Sequence, residues 1–349
     1  MPGFVSLGNE RRLAIDRLVK GLVFFCFLHV AVQDGHASSK IFIAYAGITS
    51  GVATLWISQE QGFFRRYGID ADVIAIRNTP TQLAALISGD IQIGFGGGSA
   101  VVGAAPGGAD LKIIATFVNS MVLNIVVRPE IKKIEDLHGK RLGVQSLGGT
   151  SWMYTLLALQ HLGLEPTRDK ISIVAAGDNV VRAQALEAGI IDGTVSSDDS
   201  LNQRLRQKGF LTLLEISHIP ITSQAIVVRK DYLQQQQDFL ENVLKALVES
   251  VAFIRSPQNK PRVIKTVMKH LRLFEPAAAE AGYKSLVRVL DRKPYTSREG
   301  LRNIQRMLQL NNPRVGTIKV EDLVDSTLVT RLDESGFIDR IYGNYGVNR

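Results

Sequence analysis

Cysteine is nearly missing from this chain: 349 residues contain one, Cys26. A lone thiol forms no intrachain disulfide and supplies no thiolate metal cluster. Histidine is also sparse. Beyond residue 37, His138, His161, His218 and His270 stand far apart without ligand-like spacing, so neither a metal nor another cofactor is expected. Aromatic residues make up 7% of the chain and form no aromatic–basic module, which argues against nucleic acid as a partner. Long apolar runs are missing too; none reaches the roughly twenty residues that span a bilayer as a helix. There is no G-x-S-x-G, no nucleophile beside a base, and no paired-carboxylate pattern that outweighs turn and surface explanations. The chain is therefore read as a non-enzyme.

What is present starts with a distinct leader. "NERRLAIDRLVK" carries Arg11, Arg12, Arg17 and Lys20, "GLVFFCFLHVAV" is apolar, and "QDGHA" ends on small residues. This order of charge, apolar core and cleavage site reads as a secretory signal over residues 1–37, with an uncleaved anchor as the alternative. The bulky Phe25 before Cys26 speaks against lipid attachment. Cleavage behind Ala37 removes four cations and three anions, which takes the formal charge from +8 to +7. A basic exported chain suits anionic lipid or anionic solutes as surroundings. The mature chain is expected in the periplasm, or at the cell surface where no outer membrane exists.

The rest is globular in composition, with 45% hydrophobic and 21% charged residues and no low-complexity run longer than the glutamines 234–237. Its length suits two compact units of roughly 100 to 200 residues each. "KIFIAYA", "IDADVIAI", "IQIGF", "RLGVQS", "KISIVAA" and "IDGTVSS" read as strands between helix-like stretches such as "TPTQLAALISGD" and "SWMYTLLALQHLG". Strand and helix in alternation predict a mainly parallel α/β sheet covered on both faces. From Asp231 a helical tail is expected, broken at Pro257, Pro261, Pro276 and Pro294.

"NIVVR" (124–128) and "AIVVR" (225–229) lie about a hundred residues apart, each followed by a helix-like start, "RPEIKKIEDL" and "RKDYLQQQQDFL". Read as two strands on which the chain passes between lobes, they divide it into 38–124 with 226–349 and 125–225. The plainer alternative is two unrelated strands of similar composition.

"SQEQGFFRRYGIDADV", "ALISGDIQIGFGGGSA", "IEDLHGKRLGVQSLGGTSWMYTLLALQHLGLEP", "ALEAGIIDGTVSS" and "ALVESVAFIRSP" together resemble a known series. The chain is similar, over most of residues 40–257, to the periplasmic solute-binding proteins of nitrate, sulfonate and thiamine-precursor uptake, the THI5-like or NMT1 family. The resemblance implies the type II binding-protein fold: two α/β lobes, a cleft, and two crossing strands as hinge. It also implies capture of a small organic solute, anions among the candidates, for an ABC transporter permease, with the ATPase reached indirectly. A monomer is expected. The alternative in another class is an enzyme on this scaffold related to thiamine pyrimidine synthesis, against which the export signal and the lack of a mature cysteine count.

In open α/β sheets ligands sit beyond the carboxyl ends of strands, where the next helix begins. The candidate walls follow from that rule: Gly47, Thr49 and Ser50 after the first strand, and Gly97, Gly98 and Ser99 in "GFGGGS". Opposite them stand Ser146, Gly149, Thr150, Ser151 and Trp152 in "VQSLGGTSWMY", and Ser197 in "GTVSS". Glycine lets backbone approach a ligand, and first-turn N–H groups favour an anionic group. Thr79 is a candidate that helix capping also explains, as turn and cap roles also explain Thr150, Asp178, Asn179, Ser196, Ser197 and Asp198. Core packing is the simpler account of Trp56 and Trp152. No arginine lies in the glycine–hydroxyl segments, which leaves neutral heterocycles and pyrimidines open as solutes, although lysines or arginines elsewhere, such as Arg182, can point inward.

Overall fold

Two strands much longer than the rest organise the molecule. A computed structural model describes residues 41–347, so the leader segment and Cys26 lie outside the described residues. The strands are β1 (Ile41–Ala46), β2 (Ala71–Ile76), β3 (Ile93–Gly96), β4 (Leu111–Val127), β5 (Arg141–Val144), β6 (Ser172–Ala175), β7 (Gly193–Ser196) and β8 (Leu211–Arg229). They form one eight-stranded sheet in the order β2-β1-β3-β8-β4-β7-β5-β6. At one end β1 pairs in parallel with β2 and β3, and at the other β5 pairs in parallel with β6 and β7. Between them β4 and β8 run antiparallel.

The register shows how the two parallel sets attach. β3 pairs with residues 225–227 of β8, and β7 pairs with residues 124–127 of β4. Because β4 and β8 run in opposite directions, their carboxyl ends carry the two sets at opposite ends of the long pair. "NIVVR" and "AIVVR" are those carboxyl ends. The boundaries expected at 124/125 and 225/226 fall inside β4 and β8.

Four short runs read separately in the sequence are here two continuous strands: "LKIIATF" and "NIVVR" both belong to β4, and "TLLEI" and "AIVVR" both belong to β8. Polar interruptions such as Asn119 and Pro220 do not end the ladder because it shifts register beside them, between Val118 and Ser120 and between Met121 and Leu123. Bulges absorb an unpaired residue or a missing donor without breaking a strand. Two β8 residues adopt left-handed backbone without being glycine, His218 at φ 59° and Gln224 at φ 48°.

Helices differ from expectation mainly at their starts. "RPEIKKIEDL" forms only the 3-10 turn Ile134–Leu137, because the Asp136 carboxylate accepts from the Lys132 and Lys133 N–H groups. Such local side-chain bonds compete with helix formation. The helical tail is interrupted near the four expected prolines, with Pro294 in the break before Arg298–Gln309. Pro261 and Pro276, however, mark helix starts: Pro261 lies in the first turn of Lys260–Leu271, and Pro276 opens Pro276–Val289. A missing N–H costs nothing there. Thr79 is likewise not a cap, since Asn78 takes that role by accepting from the Thr81 N–H at 2.9 Å.

The main core runs from the β1–β3 set, where helix Gln237–Arg255 buries Leu240, Val243, Leu244, Leu247 and Val251 at helical spacing, across to Leu142 and Val144 of β5 and to Met153 and Leu157 of helix Thr150–His161. Trp56 belongs to this core, 1% exposed and stacked on His270 at 4.4 Å between ring centres. A smaller cluster, including Leu186, Ile191, Leu201 and Leu205, packs beneath the β5–β7 set.

Candidate functional site

The carboxyl ends of β1, β3, β5 and β7 all open onto one cavity of about 130 Å³. One wall comes from residues 46–52 after β1 and from Gly96 and Gly97 after β3. The other comes from Gln145, Thr150, Ser151 and Tyr154 after β5, Asn179 and Arg182 after β6, and residues 195–198 after β7. Met121 and Val122 of β4 and Ser223 and Gln224 of β8 form the floor, and Ser285, Leu286 and Val289 of helix Pro276–Val289 close one side.

Two glycines make the walls meet. Gly47 sits at φ +85°, a turn that favours glycine, and a Cβ there would lie 3.1 Å from Gln145 Oε1. A Cβ on Gly97 would lie 2.8 Å from Thr150 Oγ1, so a side chain at this point would force the walls apart. Polar contacts also cross the cavity. Ser50 Oγ donates to Asp198 Oδ1 at 3.2 Å, Gln145 Nε2 donates to the Arg77 carbonyl at 2.9 Å, and Tyr154 Oη lies 2.8 Å from Ser223 Oγ.

Of the residues singled out from the sequence, Gly47, Thr49, Ser50, Gly97, Thr150, Ser151 and Ser197 line this cavity. Thr79, Ser99 and Trp152 instead line a second, more apolar groove of about 410 Å³ beside Leu83 and Leu308. Gly98 lines neither: a Cβ there would lie 3.0 Å from both Leu301 and Thr222, so it serves helix packing. Gly149 and Ser146 also stay out of both, packed together so that a Gly149 Cβ would meet Ser146 Oγ at 2.7 Å. The physical reason is directional. Successive residues leaving a strand for a helix point to different sides, so a run of small residues contributes only some members to one cavity. Thr150 does not cap its helix, which has Gly149 at the cap, while Ser151 Oγ accepts from the Gln145 N–H at 2.8 Å.

Sequence reasoning left several lining residues off the candidate site: Gln145, Tyr154, Asn179, Arg182, Asp198 and Gln224. Asp178 and Asp198 are indeed caps, accepting from backbone N–H groups of the helices they precede. Asp198 is at the same time in the cavity. The usable signal was spacing: Arg182 lies three residues after Asn179, so both project from one helix face just beyond a strand.

Charge in the cavity is concentrated in these residues. Arg182 is 3% exposed and Asp198 5% exposed. Burial pulls the Arg182 guanidinium down to about 10, against the opposing pull of Asp198 and Asp178, so it stays protonated at neutral pH. Burial pushes the Asp198 carboxyl up, and hydrogen bonds from the Ser200 N–H and the Ser50 hydroxyl pull it back. The buried Tyr154 hydroxyl is pushed up to about 12 and is uncharged. Two polar atoms of the lining have no protein partner, Arg182 Nε and Gln224 Oε1. Among the described residues no cluster of three or more His, Cys, Asp or Glu side chains is arranged to hold a metal ion, and no helix is long and apolar enough to cross a membrane.

A sheet divided by two long antiparallel strands, with a cavity at the strand ends, is the fold of periplasmic binding proteins. The solved periplasmic aliphatic sulphonate binding protein SsuA from Escherichia coli shares it with a TM-score of 0.62 at 21% identity, over 81% of this chain and 90% of that one. The sequence profile described as NMT1/THI5 like matches residues 49–260, and the chain belongs to that family. A putative binding protein of Brucella abortus (strain 2308) is 31% identical over 138 residues, which spans 39% of this chain and only 41% of that relative's length. The taurine-binding periplasmic protein of Escherichia coli (strain K12) is 29% identical over 251 residues, 67% of this chain and 70% of that protein.

Proposed function

We propose that this chain is the extracytoplasmic solute receptor of an ABC importer, holding a small organic molecule in the cavity and presenting it to the membrane permease. On this reading residues 1–37 are a cleaved export signal and the mature protein works in the periplasm as a monomer, without catalysis. Residues 38–124 with 226–349, and residues 125–225, act as two lobes that close about β4 and β8.

The observation that carries the reading is the shared cavity: strand ends of both parallel sets line one space, and the strands between the sets form its floor. Family membership supports it, as does the taurine-binding relative. Closure follows only from contacts that the solute gains in the closed form, since equal affinity for open and closed forms shifts nothing. Moving from mostly open to mostly closed takes about 5.5 kcal/mol of differential binding. A few charge-assisted hydrogen bonds, each contributing about 1.5 to 3 kcal/mol, supply that much. Against the enzyme alternative, the ionisable groups of the lining are Arg182, Asp198 and the uncharged Tyr154, and the one carboxylate that meets a hydroxyl, Asp198 on Ser50 Oγ, is already engaged as a helix cap.

The test is a thermal-shift screen of the mature protein against sulfonates, nitrate, bicarbonate, pyrimidines and aromatic acids. One class should raise the melting temperature. Thr150→Ala, which removes a hydroxyl from the cavity, should weaken that ligand by about 1 kcal/mol. Ser99→Ala, whose side chain belongs to the other groove, should leave affinity unchanged. Chemical turnover of any of these compounds would sink the receptor reading.

A further inference from the structure

Among the described residues, the charged lining of the cavity amounts to one cation and one anion, Arg182 and Asp198. They are linked rather than independent. Arg182 Nη2 donates to Asn179 Oδ1, and Asn179 Nδ2 donates to Asp198 Oδ2 at 2.9 Å. A guanidinium has only donors, so the amide oxygen of Asn179 must face Arg182 and its NH2 must face the carboxylate. The other carboxylate oxygen, Oδ1, accepts from the Ser200 N–H at 3.0 Å and from Ser50 Oγ at 3.2 Å. Donors on both oxygens support the carboxylate form of Asp198 against the opposing effect of its burial. The buried positive charge therefore already has its counter-charge.

Resting on the receptor reading, we propose that the Arg182–Asn179–Asp198 chain holds the cleft at zero net charge and makes Asp198 the residue that discriminates against mono-anions. The preferred solute is compact, carries no net charge, and offers both an acceptor and a donor. Two buried polar atoms of the lining, Arg182 Nε and Gln224 Oε1, have no protein partner, and side-chain movement on closure would bring them to the acceptor and the donor of the solute. The size limit follows from the cavity of about 130 Å³, similar to a cavity that takes one benzene. A mono-anion entering this space brings a buried charge that no free cation balances, and such burial is costly.

Three probes of nearly equal size separate charge from shape: ethanesulfonate, ethanesulfonamide and taurine, which carry a net charge of about −1, 0 and 0 at neutral pH. Titration calorimetry on the mature protein should rank at least one of the two neutral probes tenfold or more above ethanesulfonate. Asp198→Asn keeps an amide oxygen to accept from the Ser200 N–H and nearly the same shape while removing the negative charge, and loses the bond from Asn179 Nδ2, which an amide NH2 cannot accept. It should bring ethanesulfonate affinity up at least tenfold. The proposal is overturned if the native protein binds ethanesulfonate as well as the neutral probes, if none of the three binds, or if a folded Asp198→Asn protein leaves the ranking unchanged. Should that variant fail to fold, the native ranking decides alone. Tight binding of ethanesulfonate removes the charge rule but leaves the receptor reading intact, whereas hydrolysis or other conversion of a probe removes the receptor reading itself.

Discussion

The two walls of the cavity are made of different material. The β1–β3 wall offers backbone and small side chains, residues 46–52 with Gly96 and Gly97, and no ionisable group. The β5–β7 wall carries Arg182, Asp198, Asn179 and Gln145. The difference teaches a division of labour. One wall sets shape and closeness of approach, and the other sets charge and hydrogen-bond direction.

The sharpest way to break that division is to wedge the walls where they are tied by a third element. Gly282 of helix Pro276–Val289 faces both: a Cβ there would collide with Ser200 Oγ and lie 3.0 Å from Ser50 Cβ. Alanine favours a helix interior over glycine by about 1 kcal/mol, so Gly282→Ala should fold. Overpacking of about 1 to 3 kcal/mol should fall on the closed form and reduce solute affinity tenfold or more, read by calorimetry. Unchanged affinity would show that the walls do not close against this helix.

A smaller effect is expected on the floor between the walls. Gln224 holds a left-handed backbone at φ 48°, which costs a non-glycine residue about 1 to 2 kcal/mol. Gln224→Gly should raise unfolding stability by about 1 kcal/mol, the strain relief less the added flexibility, while weakening solute binding through loss of the amide oxygen. Gain of stability without loss of binding would make the strain structural rather than functional.

The mildest test compares two aspartates of the β5–β7 region that titrate in opposite senses. Asp169, next to Arg168 and accepting from the Glu165 N–H, is held down at about 2. Its folded value lies below the unfolded one, so its contribution is present above the ordinary carboxylate range and is lost as pH falls toward 2. Asp198 is raised by burial, so its contribution is fully present below the unfolded value and is lost as pH rises through the folded one. Melting temperatures between pH 2 and 6 should therefore fall less steeply toward acid in Asp169→Asn, and more steeply in Asp198→Asn. Equal slopes in all three proteins would contradict the opposed environments.

Much of the fold was legible because strand and helix periods are local. The parallel alternation, the two crossing strands and the family resemblance all came from short runs such as "NIVVR", "AIVVR" and "GFGGGS". The continuity of β4 and β8 was not, because a bulge beside Asn119 or Pro220 looks in sequence like the end of a strand. The site was legible at the level of segments and not of side chains. Gly97 and Thr150 meet, but Gly98 and Ser99, the next two residues, turn to helix packing and to the other groove.

By itself the sequence determined the alternation of elements, the glycines that permit close approach, and the positions of polar residues at strand ends, because each depends on neighbours within a few residues. Only the tertiary structure decided that Arg182 and Asp198, sixteen residues apart, share a buried space and cancel each other through Asn179. Charge balance in a cavity is a property of distances across the fold, and no local pattern carries it.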